Sequence, residues 1–360
     1  MGVPGRSHGG RLAAHGAVGK ALARCGDEEL RALVDSAVPM GSGIGGKAAL
    51  LEVAGVPVFV KRMPLSDLER RPEHVRSTAN LFALPDFCHY GVGLIGTPGF
   101  GAWRELDVHT MTTDWVLNGE YEGFPLMYHW RVLPDSTPLP DELGDVERAV
   151  AYWGGGAEIR RRIEVLERSS ASVALFLEYI PQNLHQWLGG EIEKGDEAAD
   201  RACAMVEREL AAGVSFMNGR GLLHFDTHFE NILTDGRRLY FADYGLAISS
   251  HFELSRDERD FFDRHQVYDR AYRANYLVNW LVVALHGHLR GDPEGRYARV
   301  RAYAAGEHPT EVPAVAATLL ARHAPIAAVV SDFERTFQRE SRRTPYPVDE
   351  LRRLESLRIS

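Results

Sequence analysis

Residues 224–247 read HFDTHFENILTDGRRLYFADYGLA. Asp226 stands five residues before Asn231, and Asp243 follows twelve residues after that. All three side chains offer hard oxygen atoms. Mg²⁺ takes oxygen ligands and is usually held by one or two carboxylates plus substrate phosphates, so Asn231 and Asp243 suit a metal-bound phosphate. That leaves Asp226 for an acceptor. A carboxylate within reach of a hydroxyl can orient it and take its proton. Between these residues Asp235-Gly236 separates two short β-like runs, a strong hairpin signal. Asp and Asn scattered singly through loops usually do no more than cap turns. Here the three fall together and are closed by Gly245.

Upstream, Ala202, Val206, Leu210, Val214 and Met217 recur every three to four residues, predicting a long amphipathic helix over Asp196–Met217 that ends near Asn218-Gly219. FPLMYHWRVL (124–133) and SVALFLEYI (172–180) are rich in the aromatic and β-branched residues that suit strands. Residues 144–168 between them read as charged helix. AWRELDVHTMTTDWVL (102–117) has the partly apolar face of a helix docked on a sheet. The segment LSDLERRPEHVRSTANLF (65–82) is helical in part, and 85–101 is a glycine-dense loop; together 65–100 look inserted. From about Val34 the chain reads as strand, glycine loop and two further strands ending in VFVK at Lys61. Gly41, Gly43 and Gly46 space as G-x-G-x-x-G, which lets backbone amides approach a phosphate that a Cβ would hold off.

The sequence has 360 residues, 45% hydrophobic and 25% charged, the composition of a folded globular protein with room for two domains. A formal charge of −9 argues against a broad nucleic-acid footprint, which would need clustered Lys and Arg. Cys25, Cys88 and Cys203 are far apart and form no CxxC pair, which suggests neither disulfides nor a zinc site. The first 20 residues show no sustained periodicity, so residues 1–30 are expected to be a mobile leader. No apolar run resembles a secretory signal or a membrane span; the longest, LVNWLVVAL (277–285), suits a buried helix. These features lead us to expect a cytoplasmic protein with no membrane partner. A β-rich first half followed by an α-rich second half predicts an α+β class.

The stretch 224–247 resembles the protein-kinase superfamily, whose catalytic loop reads H-R-D-x-x-x-x-N and whose metal motif reads D-F-G. The matches are His224-Phe225-Asp226, Asn231 and Asp243-Tyr244-Gly245. The resemblance implies a two-lobed fold: a small β-rich N-lobe over 31–178 and a mainly helical C-lobe over 179–360. It implies ATP and Mg²⁺ as cofactors, Asp226 as catalytic base, and Asn231 and Asp243 as metal ligands. His224 would be structural. By the same resemblance Lys61 contacts the nucleotide phosphates and pairs with a helix glutamate. Glu105 is the preferred partner, with Glu69 and Glu73 as the competing candidates. Gly41, Gly43 and Gly46 would cover the phosphates, and the backbone from Glu178 to Ile180 would bind adenine as the hinge. Departures bear on the acceptor. Phe225 replaces an arginine that normally meets an activation-loop phosphate, which makes control by such a phosphate doubtful. His228 stands where Ser/Thr kinases carry lysine and looks like the aminoglycoside and choline phosphotransferases, and no A-P-E motif follows Gly245. The expected function is transfer of the ATP γ-phosphate to a hydroxyl, foremost by a serine/threonine-type protein kinase acting on a protein or peptide. A small-molecule phosphotransferase and a nucleotide-binding pseudokinase are the alternatives.

Overall fold

A computed structural model describes residues 6–43, 46–93, 95–136 and 139–357. It shows a mixed α and β chain whose contacts group into two compact units. The first is the chain through Pro181 together with Ala242–Arg259, and the second is Gln182–Phe241 with the chain from Asp260 onward.

The first unit is built on an antiparallel sheet of β1 (Val38–Gly43), β2 (Gly46–Val53), β3 (Val56–Leu65), β4 (Met127–Pro134) and β5 (Ala171–Glu178). Among the described residues the strand order is β1-β2-β3-β5-β4. Side chains alternate faces along a strand, so Phe59, Lys61, Met63 and Leu65 share one face of β3, and Val173, Leu175 and Leu177 share one face of β5. Met63, Leu65, Val173, Leu175 and Leu177 form a core with Trp103 and Leu106 of α3 (Ala102–Leu117). The predicted docked helix and strand pair are therefore present. Glu178 alternates to the other side of β5 and meets α1 (His8–Ala23), which lies against β4. A second helix, α2 (Asp27–Asp35), follows α1; after a short α4 (Asp141–Gly144), α5 (Val146–Tyr152) and α6 (Ala157–Glu167) occupy the predicted charged helical stretch 144–168.

Three expectations for this unit need correction. The described part of the expected leader, residues 6–30, is not structureless: α1 buries Arg11, Ala14, Val18 and Leu22 along one face. The periodicity was hidden because one of those positions is an arginine, whose charge is met by the buried carboxylate of Glu178. Val34 belongs to α2, where it is buried at i+4 from Leu30, so the strand starts only at Val38. Within 65–82 regular helix is limited to one short 3₁₀ turn, Pro72–His74. The expected division also placed Asp243 with the helical half. By its contacts the segment Ala242–Arg259 groups with the sheet instead.

The second unit is mainly helical. It holds α7 (Leu184–Glu193), α8 (Asp196–Gly219), α10 (Tyr268–Leu285), α11 (Pro293–Ala304), α12 (Ala314–Arg339) and α13 (Val348–Ser356), with α9 (Arg256–Arg264) leading into it. Helix α12 packs on α8, α10, α11 and α13. By length and composition it is the one helix among the described residues that could cross a membrane, yet 56% of its apolar window is buried, as in a core helix. The predicted α8 runs as expected, with Ala202, Val206, Leu210, Val214 and Met217 all buried. A small sheet joins β6 (Gln182–Asn183), β8 (Ile232–Thr234) and β9 (Leu239–Phe241), and the two-residue strand β7 (Leu222–Leu223) leads into the 224–247 stretch. The β8–β9 hairpin turns at Asp235-Gly236, where Gly236 has φ 81°. Gly213 of α8 leaves room for the Phe241 ring, which an added Cβ would strike.

Candidate functional site

In the first unit β3 carries Lys61 on its α3-facing side. Its Nζ donates to Glu105 Oε1 at 2.6 Å and to Asp243 Oδ1 at 2.9 Å. Lys61 and Glu105 are both buried, whereas the Asp243 side chain is 42% exposed. Burial alone pushes the Lys61 ammonium down, but the Asp243 and Glu105 carboxylates outweigh it and hold the ammonium above its ordinary range. Asp243 adopts φ 61°, a left-handed conformation uncommon for a residue with a Cβ. The Gly245 N–H donates to its Oδ1. Tyr244 is fully buried, edge-on to His109 of α3 at 4.8 Å, and burial pushes its hydroxyl well above the usual phenol range. The same His109 lies 3.7 Å from Glu105 Oε1. The predicted trio of Lys61, Glu105 and Asp243 is thus brought together.

The competing glutamates have other partners. Glu69 is buried, its carboxylate accepting from the Ser66 N–H and hydroxyl, from the Ala102 N–H at the start of α3, and from Arg162 at 3.2 Å. Its backbone carbonyl accepts from the Trp103 indole at 2.8 Å. Glu69 therefore caps and orients the helix that presents Glu105. Gly101 (φ 128°) makes this approach possible, since a Cβ there would come within 2.6 Å of Glu69 Oε1. Glu73 is exposed on the 3₁₀ turn.

Gly41 and Gly43 lie in β1, and Gly46 opens β2 opposite Gly43. Ile44 and Gly45 between them fall outside the described residues. Gly46 has a packing reason of its own: a Cβ would strike the Arg62 carbonyl of β3. At the end of β5 the Glu178 N–H donates to the Leu126 carbonyl at 2.8 Å. Its carboxylate accepts from Arg11 Nε at 2.9 Å, from Arg11 Nη2 at 2.8 Å and from the Leu126 N–H. Ile180 is half-buried two residues further on. The predicted hinge glutamate is thus committed, through its side chain and its amide, to α1 and the strand β4 approach.

In the second unit Asn231 Nδ2 donates to both the backbone carbonyl and Oδ2 of Asp226, each at 3.1 Å. With the amide nitrogen so turned, the amide oxygen remains as a hard ligand. His228 Nε2 lies 3.6 Å from Asp226 Oδ2, and its Nδ1 lies 3.0 Å from Glu230 Oε2. The His228 contact, ahead of the opposing effect of partial burial, holds the Glu230 carboxyl down at about 2. The loop hangs from a residue that sequence reading missed. Asp269 of α10 is fully buried and accepts from the His224 N–H (2.8 Å), the Phe225 N–H (2.9 Å) and Asn218 Nδ2 (2.9 Å). Two successive donated amides need a sharp backbone bend, and Phe225 supplies it at φ 65°. Its ring stacks on Tyr268 at 4.3 Å.

Each unit offers donors that suit a magnesium nucleotide: the first a partly exposed carboxylate (Asp243) beside an ammonium (Lys61), the second an amide oxygen (Asn231). Among the described residues no three His, Cys, Asp or Glu cluster as a metal cage. Mg²⁺ characteristically does without one, borrowing ligands from phosphates and water.

No family model matches this chain. A mitogen-activated protein kinase kinase kinase, mkh1 of Cytospora mali, is 26% identical over 140 residues, which is 39% of this chain and 7% of that protein. The chain is thus similar in part to a protein kinase and spans under a tenth of that relative's length.

Proposed function

We propose that the protein is an ATP- and Mg²⁺-dependent phosphotransferase with a protein-kinase-like two-lobed fold, moving the γ-phosphate to a hydroxyl in the manner of a serine/threonine-type protein kinase. The observation that carries this is the buried Lys61–Glu105 pair whose ammonium also holds Asp243. A lysine fixed between two carboxylates keeps its charge and its aim, as a phosphate clamp must. The partial likeness to a kinase supports the same reading.

Each residue then has one task. Lys61 grips phosphate oxygens, and Glu105 sets its direction. Asp243 and Asn231 would hold Mg²⁺, which when bound neutralises charge on the transferred group. Asp226, steadied by Asn231, orients the acceptor hydroxyl and accepts its proton. The two residue sets are assigned to one reaction whose catalysis is mostly positioning and charge stabilisation. The small-molecule alternative draws on His228, which is half-exposed beside Asp226 and bonded to Glu230 in place of the expected lysine.

Purified protein incubated with labelled ATP, Mg²⁺, peptide mixtures and a panel of hydroxylated metabolites and antibiotics should transfer label to a peptide, and Asp226→Asn should lose this by at least about a hundredfold. Label found only on small molecules would replace the peptide acceptor. No transfer, with Mg·ATP still raising the melting temperature, would leave a nucleotide-binding pseudokinase.

A further inference from the structure

Residues 77–100, the later part of the stretch 65–100 that looks inserted, lie in the first unit, and their described residues carry little regular structure. They and α3 hold the segment that follows Gly245 at several points. His89 is fully buried, its Nδ1 2.8 Å from the Leu246 carbonyl, and its ring stacks on Phe100 at 3.8 Å. The Glu253 N–H donates to Thr78 Oγ1 at 2.8 Å, and the Ser77 hydroxyl donates to Glu253 Oε2 at 2.5 Å. Arg104 of α3 sits over the rings of Phe100 and Phe252, at 5.1 and 5.3 Å from their centres. Its Nε donates to the Thr78 carbonyl at 2.7 Å and its Nη2 to Glu258 Oε1 at 2.5 Å. Arg104 and Glu258 are each only 3% exposed, so this is a desolvated, charge-assisted bond.

Arg104 immediately precedes Glu105, so whatever fixes one fixes the backbone of the other. The serines of the held segment are already placed. Ser249 is buried, Ser255 accepts from the Glu258 N–H, and Ser250 is exposed. Phe225, where a phosphate-reading arginine was expected, is buried in an aromatic stack. A permanent carboxylate at Glu258 supplies the kind of arginine-bound negative charge that phosphorylation adds to other switch segments.

We propose that residues 77–100 and Arg104 form a built-in clamp that ties residues 246–258 to α3, so that Glu105 stays paired with Lys61 without any phosphate on that segment. Arg104 and Glu258 are its positioning residues. The effect on turnover rests on the phosphotransferase reading, whereas the mechanical coupling does not.

Hydrogen exchange followed by mass spectrometry on the full chain separates the two. In Glu258→Gln, exchange should rise about tenfold or more in both 246–258 and 102–117, while α8 and α10 keep wild-type protection. Arg104→Lys, which retains the charge, should recover most of the protection that Arg104→Met loses. In parallel, kcat should fall roughly ten- to a hundredfold in Glu258→Gln. Ser250→Ala, and wild-type protein verified free of phosphate, should transfer phosphate at the full rate. Faster exchange confined to 246–258, with α3 still protected, overturns the clamp, as does activity that appears only after phosphorylation of Ser249, Ser250 or Ser255. If wild type transfers no phosphate at all, the phosphotransferase reading fails and the exchange data still decide the clamp. Should Glu258→Gln not fold, Ser77→Ala and Thr78→Val at the rim give the same readout on a smaller scale, and unchanged exchange in both segments overturns it.

Discussion

At Asp226 and Asp243 two carboxylates of one short stretch are proposed to take different tasks, and their partners differ. Asp243 accepts from an ammonium and is partly open to solvent; Asp226 accepts from an amide and lies beside a histidine. Titrating nucleotide with and without Mg²⁺ should show that Asp243→Ala loses the metal-dependent part of ATP binding, by about tenfold or more in Kd, whereas Asp226→Ala binds within roughly threefold of wild type. Equal losses in the two variants would contradict the assignment. These residues were legible in the sequence because their spacing is local and their chemistry specific. Asp269 was not. It sits 43 positions beyond Asp226, in the polar start of α10 beside Arg270 and Arg273, where one aspartate looks like any surface residue until its two backbone donors are seen.

At the scale of elements, α3 came out of the sequence at its observed bounds because an amphipathic period survives without context. What anchors α3 could not be read, because it depends on an irregular loop folding back. Glu69 was weighed as a partner for Lys61, and the structure makes it the cap of α3 and the partner of Arg162. Removing one member of a buried pair leaves an uncompensated charge and typically costs about 3–5 kcal/mol. Glu69→Ala should therefore lower stability to denaturant by roughly that amount, while Glu73→Ala, at an exposed position, should stay within about 0.5 kcal/mol. The glycine pattern 41–46 shows the converse hazard. Gly46 fits a phosphate-binding signature, yet the Arg62 carbonyl gives it a sufficient reason to be glycine.

Across the whole molecule, the division of labour between a sheet-based unit and a helical unit followed from the change in residue pattern along the chain. The exchange of Ala242–Arg259 into the first unit did not, because that segment's partners, His89 and Thr78 among them, lie far away in sequence. Global stability also carries a pH signature from α12. Glu334 is half-buried and accepts from Asn275 Nδ2 at 2.9 Å. Burial pushes its carboxyl up to about 7, only partly opposed by Asn275 and Arg296. An unfolded glutamate ionises near 4.3, so between about pH 4.3 and 7 the unfolded chain releases a proton that the folded chain keeps, and stability falls as pH rises. Glu334→Gln retains an acceptor for Asn275 and removes this dependence. Its denaturant midpoint should match wild type near pH 4 and exceed it at pH 8, by on the order of 3 kcal/mol at most. A constant difference across that range would assign the ionisation elsewhere.

The seating of Arg11 has a practical corollary. Its guanidinium serves the Glu178 carboxylate and the carbonyls of Glu122 and Phe124, so the end of β5 and the segment before β4 converge on one N-terminal side chain. A shortened version that starts at the first strand would look tidier on paper, yet it would orphan an anion beneath the sheet and release the 122–126 turn. Protein engineers seeking a minimal folded fragment should keep the opening helix.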